Sequence, residues 1–204
     1  MKFIIKKPIF RLLAGISAFL LVFVVVIVGA AVFYRPKPAP PHTDGWQTGM
    51  VFFSVGDSWE SAAVRSLTGI FNMAVSDSTP SHCGIVMMAD KGPLLVHAST
   101  VAGHVVAEAP EEYIKKNGSY CLYVRTRPLM TDTLKLKSDI DSLLSLPAPF
   151  DFDFDHRDDK SLYCSELVVT LHELNGCRLF SPLRRKHYIY PQDIMDILNK
   201  ENKD

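Results

Sequence analysis

Cysteine is scarce in this chain. Four among 204 residues are too few for the disulfide framework of a small secreted scaffold. Neither sign of charge dominates, since 22 Lys and Arg balance 22 Asp and Glu. The balance is uneven along the chain, however. Lys2, Lys6, Lys7 and Arg11 stand in the first 34 residues without an acid, so residues 35–204 hold 18 bases against 22 acids. A mildly acidic domain offers no basic face, so no nucleic-acid partner is expected. Several chemical signatures are also missing. There is no GxGxxG, P-loop, GxSxG, CxxC or HExxH, which removes the usual dinucleotide, nucleotide, serine-hydrolase and zinc readings. Asp151, Asp153 and Asp155 begin like a calcium loop, but His156 takes the glycine position and Leu162 the closing glutamate position, so that reading is rejected. No internal repeat is visible. What is present is a hydrophobic content of 48% against 22% charged residues, enough to exclude a disordered chain and to fill one ordinary domain.

Leu12 to Tyr34 runs 23 residues without a charge. As a helix it would extend roughly 34 Å, enough to cross a hydrocarbon core of about 30 Å. The four bases before it predict a cytoplasmic N-terminus and an exported remainder. Residues 1–34 are therefore expected to be an uncleaved membrane anchor. A cleaved signal peptide is the alternative, because Gly29, Ala30 and Ala31 are small, but its apolar region would ordinarily be shorter, about 7–15 residues. Residues 35–45 follow as a linker, with four prolines between Arg35 and Pro41 that make it stiff and extended. Residues 46–204 form the globular domain.

Within that domain, residues 50–55, 81–88, 94–98, 105–107 and 119–125 read as strands, the second and third joined as a hairpin through Asp90-Lys-Gly-Pro93. Helices are expected over 58–68, 110–116, 131–146, 161–175 and 191–199, from their apolar spacing and from prolines and acids at their starts. Strands gather in the middle with helices on either side, which defines an α+β class with a small sheet packed by helices.

Three residues could carry chemistry. Cys164 shares the apolar stripe of Leu167 and Leu171 and lies in the first turn of its helix, where unpaired N–H groups and the macrodipole favour a thiolate. By itself it could equally be a small buried hydrophobe. His82 opens a strand and shares a face with Gly84, which leaves room for another backbone or a ligand. His97, on the neighbouring hairpin strand, would fall beside His82. A thiol, a histidine base and a polar group to orient that base are the parts of nucleophilic acyl transfer. Cys83 and Ile85 should point away from His82. His104, His156, His172 and His187 are expected to be surface or structural residues.

Several stretches, in order, resemble the circularly permuted papain-like hydrolases of the YiiX/YaeF type, relatives of the NlpC cell-wall peptidases. They are Ser58 to Gly69, Ser81-His-Cys-Gly-Ile-Val86, Pro149-Phe-Asp-Phe-Asp-Phe154, Tyr163-Cys-Ser-Glu-Leu-Val168 and Tyr190-Pro-Gln-Asp-Ile194. Together they span roughly residues 48–194. His82 precedes Cys164 by 82 residues, the permuted order. The resemblance implies a permuted papain-like (NlpC-like) fold with Cys164 as nucleophile, His82 as base and His97 orienting that base. It also suggests Tyr163 and Asp151 as substrate contacts. Two departures stand out: His97 occupies a position where many relatives carry Glu, and Gly49-Met-Val-Phe replaces the usual Gly-Asp opening, with Asp57 further on. No metal or organic cofactor is implied. The expected function is an exported, membrane-anchored cysteine hydrolase acting on an amide or ester, with peptides, peptidoglycan fragments or lipid-like molecules as partners. A permuted lipid acyltransferase or lipid hydrolase, or a catalytically inactive binding module of the envelope, are the alternatives.

Overall fold

The computed structural model describes residues 17, 20–25, 41–72, 79–124, 128–129, 132–157 and 160–201. Among these, no helix is long and apolar enough to cross a membrane. Residues 20–25 are helical and exposed; the rest of the expected membrane helix over 12–34, except residue 17, and the linker up to residue 40 lie outside the described residues.

The domain is a five-stranded antiparallel sheet with helices on both faces. In chain order it comprises β1 (Val51–Gly56), α1 (Trp59–Asn72), β2 (His82–Ala89), β3 (Gly92–Ser99), β4 (His104–Glu108), α2 (Pro110–Asn117), β5 (Ser119–Val124), α3 (Thr133–Ser145), α4 (Cys164–Leu174), a 3-10 turn (Ser181–Arg185) and α5 (Pro191–Glu201). The α+β expectation therefore holds, and the sequence boundaries fall within a few residues of these elements. The strand order is β4-β3-β2-β1-β5. Strands β2, β3 and β4 form a meander, while β1 pairs with β2 on one side and β5 on the other.

Side-chain alternation divides the sheet into two cores. Val51, Phe53, Cys83, Ile85, Val96 and Ala98 face one side, where Leu136 and Ile140 of α3, Leu167, Val168 and Leu171 of α4 and Ile194 and Leu198 of α5 cover them. Phe52, Val86, Leu95 and Leu122 face the other, where Tyr113 of α2 closes a smaller cluster. Helix α2 begins with Pro110, carries Glu111 and Glu112 in its first turn and Lys115 and Lys116 in its last, and stops at Gly118 in the left-handed region (φ 55°). Each feature suits the helix dipole and the backbone at that position. Helix α3 starts two residues later than its spacing predicts, because Asp132 caps it by accepting a hydrogen bond from the Lys135 N–H at 2.9 Å.

Candidate active site

The site is assembled from the first residues of β2 and α4, the later half of β3 and the last residue of β4. Cys164 is the first residue of α4; Tyr163 occupies the N-cap without a capping side-chain bond, so the N–H groups of the first turn remain available to an anion. Cys164 is half-buried and packs against the larger core. Its thiol pKa is held well below the ordinary range, first by a hydrogen bond from Cys83 and then by the charge and hydrogen bond of His82, with Ser165 adding to this against the opposing effect of burial.

His82 opens β2. Its Nε2 lies 3.1 Å from Nδ1 of His97 on β3, and His97 Nε2 lies 3.3 Å from Oε2 of Glu108 on β4. The other Glu108 oxygen accepts from Lys116 Nζ at 3.0 Å, and Lys116 also reaches Glu112 at 2.8 Å. His97 is fully buried, which lowers its pKa against the opposing hydrogen bond to Glu108. Glu108 is held down to about 2, chiefly by the hydrogen bond from His97. These two shifts set the direction of the chain of bonds. An ionised carboxylate only accepts, so Nε2–H of His97 donates to Glu108. Neutral His97 then accepts at Nδ1, so Nε2–H of His82 donates, and Nδ1 is the His82 nitrogen left for a thiol proton.

Aromatic rings hold the pair in place. Tyr113 stands edge-on to His97 at 4.9 Å and to Phe52 at 5.4 Å. The Tyr113 hydroxyl shares a hydrogen bond of 2.5 Å with Ser54 Oγ, which keeps it from competing for the histidines. The room expected beside Gly84 is taken by Phe52, whose ring lies 6.4 Å from His82 and 6.3 Å from His97.

The structure thus brings together Cys164, His82 and His97. Cys83 lies on the core face opposite the His82 strand face, yet that face is where α4 docks. Cys83 Sγ and Cys164 Sγ each lie 3.7 Å from Ser165 Oγ, and burial raises the Cys83 pKa. Being turned from His82 does not remove Cys83 from Cys164. Asp151 and Tyr163 lie inside the framework. The Asp151 carboxylate accepts from the Asp153 and Asp155 N–H groups at 2.8 and 2.6 Å, and the Tyr163 hydroxyl accepts from the Ile189 N–H at 3.2 Å. Asp57 packs against the Gly118 turn, where its carboxylate fills the space a Cβ would need. His156 and His172 are buried, as structural histidines would be. Glu108 escaped the sequence reading. The available signal was a carboxylate at an inward position of Val105–Glu108, followed eight residues later by Lys116.

A thiol of lowered pKa at a helix N-terminus, a histidine base and a buried chain of polar partners on a neighbouring sheet define a cysteine-nucleophile enzyme of papain-like build in permuted order. The chain belongs to the permuted papain-like amidase family of the YaeF/YiiX type, family C92, whose model matches residues 59–196; it is a cysteine amidase or peptidase in class. Among solved structures, metalloprotein yiiX of Escherichia coli O157:H7 is 21% identical, with a TM-score of 0.51, over 74% of this chain and 92% of that one. That likeness supports the fold. No curated protein matches the chain. The Escherichia coli relative is called a metalloprotein. Among the described residues here, no group of three or more His, Cys, Asp or Glu could hold a metal ion, and both ring nitrogens of His97 are engaged by His82 and Glu108. The described residues do not fit a metal centre.

Proposed function

We propose that this protein is an exported, membrane-anchored cysteine hydrolase that cleaves an amide, or an ester, through a thioester on Cys164, with cell-wall peptides as the substrate class. The observation that carries the chemistry is the place of Cys164 at the start of α4, where the His82–His97–Glu108 chain meets it and His82 lowers its thiol pKa. The thiolate of Cys164 attacks the carbonyl carbon, and the N–H of Cys164 helps to hold the oxyanion. His82, protonated at Nδ1, gives that proton to the leaving amine or alkoxide as the C–N or C–O bond breaks. A water then loses a proton to the same nitrogen and attacks the thioester carbonyl. The carboxylic acid departs, and the thiolate and imidazolium are restored.

One observation favours the lipid-directed alternative. Phe152 is 68% exposed, and its loop partner Phe154 stands 5.4 Å from the Tyr163 ring, next to the nucleophile. An exposed aromatic pair there suits an acyl chain.

Two measurements test the reading. Cys164 should react with iodoacetamide near neutral pH far faster than the other thiols, and His82→Ala should remove most of that selectivity. Cys164→Ser should fold and lose turnover on whichever substrate the wild type accepts, stem peptides or acyl esters. Full turnover by Cys164→Ser would overturn the cysteine mechanism; acyl esters cleaved with stem peptides untouched would replace the peptide assignment by the lipid one.

A further inference from the structure

His97 stands where a carboxylate would be the stronger orienting group, and the carboxylate is one strand further on. We propose that Glu108 is the positioning acid of this site, acting on the Cys164–His82 pair through a neutral His97 that serves as a bridge; this rests on the hydrolase reading above.

The argument is one of tautomers. A buried neutral imidazole can carry its proton on either nitrogen. If His97 held it on Nδ1, the 3.1 Å contact would make His97 the donor and His82 Nε2 the acceptor. His82 would then carry its proton on Nδ1, with no lone pair facing the thiol. Glu108 forbids that state, because an ionised carboxylate at 3.3 Å from His97 Nε2 requires a proton there. The side chain of Glu108 is 10% exposed while Lys116 beside it is 48% exposed, so the carboxylate is turned inward with the lysine outside it. No solvent reaches His97, which is 0% exposed, and water cannot take over the acceptor role. The charged and titratable groups that face this chain are His82 from β2, Tyr113, Glu112 and Lys116 from α2, and Cys164 from α4 with Cys83 beneath it. Of the acids, Glu112 meets Lys116 but forms no part of the His97 bond, which makes it an internal control.

The test reads thiol chemistry and needs no substrate. The rate of Cys164 alkylation by iodoacetamide is followed against pH in the whole protein, with thermal melting to confirm folding. Glu108→Ala should move the alkylation profile about one unit to higher pH, which slows alkylation by about tenfold on the acid limb of the wild-type profile and less above it. Glu112→Gln should leave the profile where it is. His97→Gln, whose amide oxygen can accept from His82 while its NH2 donates to Glu108, should keep most of the reactivity, and His97→Leu should not. A folded Glu108→Ala protein with the wild-type profile would overturn the proposal. If Glu108→Ala does not fold, nitrogen-15 NMR of the wild-type histidines decides. A proton on His97 Nε2 and on His82 Nε2 supports the bridge, and a proton on His97 Nδ1 overturns it. An intact thiol profile in a protein that turns over no amide or ester would remove the hydrolase reading and leave the role of Glu108 standing.

Discussion

A methyl group at Gly84 would collide with the Val96 carbonyl oxygen and sit 2.5 Å from the Phe52 ring. The first is backbone and cannot yield. The second is the ring that supports both site histidines. Gly84→Ala is therefore expected to cost about 1–3 kcal/mol of stability by overpacking. It should also lower Cys164 alkylation, because Phe52 cannot shift without disturbing His82 and His97. A melt and an alkylation rate on the same sample check both parts; an unshifted melting temperature would overturn the overpacking argument, since both the Val96 carbonyl and Phe52 would have to make room. At this scale the sequence was informative where a residue's role depends on its immediate neighbours. Cys164 could be placed at a helix start and His82 and His97 on paired strands from local pattern alone. The part played by Gly84 was half legible: the need for space was evident, and the ring that fills it was not. Glu108 was illegible for a different reason. Its role depends on the register of β3 against β4, where His97 faces Val106, and a register is not written in either strand separately.

Helix α4 carries Cys164 at one end and an unusual histidine at the other. His172 is fully buried, donates from Nδ1 to the Val168 carbonyl at 2.7 Å and meets the Phe180 ring edge-on at 4.8 Å. Its Nε2 has no hydrogen-bond partner. A second proton would have to enter that apolar place, so burial lowers its pKa from 6.5 to about 4. The sign follows directly. Above pH 6.5 neither the folded nor the unfolded chain binds the proton. Between 6.5 and 4 only the unfolded chain does, so stability falls as the pH drops through this window, by about 2 kcal/mol at pH 5 and about 3 kcal/mol at the bottom of it. The lowered pKa of His97 acts in the same direction, and Glu108, at about 2 against an ordinary 4.5, extends the loss below pH 4.5. His172→Leu should remove the His172 share: little change in urea midpoint at pH 7.5, and a variant more stable than wild type by about 2 kcal/mol at pH 5. Equal loss in both proteins between pH 7.5 and 5 would show that His172 is not the group responsible. The helix itself was readable from the Leu167, Val168 and Leu171 stripe, but the 3-10 turn Ser181–Arg185 was not. That turn is held by long-range bonds, Arg184 to Thr170 at 2.7 Å and to Glu173 at 3.2 Å, rather than by a periodic pattern.

For the molecule as a whole, the uncharged run Leu12–Tyr34 behind four bases remains the reason to expect an anchor. The intact protein should sediment with membranes and resist extraction by high salt, with its catalytic domain open to protease from the exported side. A mature protein beginning near Val32 and fully soluble would replace the anchor by a signal peptide. The layout of the domain has a further consequence, in the order in which its parts come together. His82, His97 and Glu108 sit on three successive strands, with sequence separations of 15 and 11 residues between bonded partners, so closing their loops costs little entropy. Cys164 reaches them only across a separation of 82 residues, the kind of distant contact that tends to form late. The polar half of the machinery can thus be in place on the meander while the thiol is still an ordinary cysteine. A nascent or misfolded chain would hold four unremarkable thiols. The lowered thiol pKa of Cys164 comes into being only when α4 docks, which makes its alkylation rate a timer for the final stage of folding.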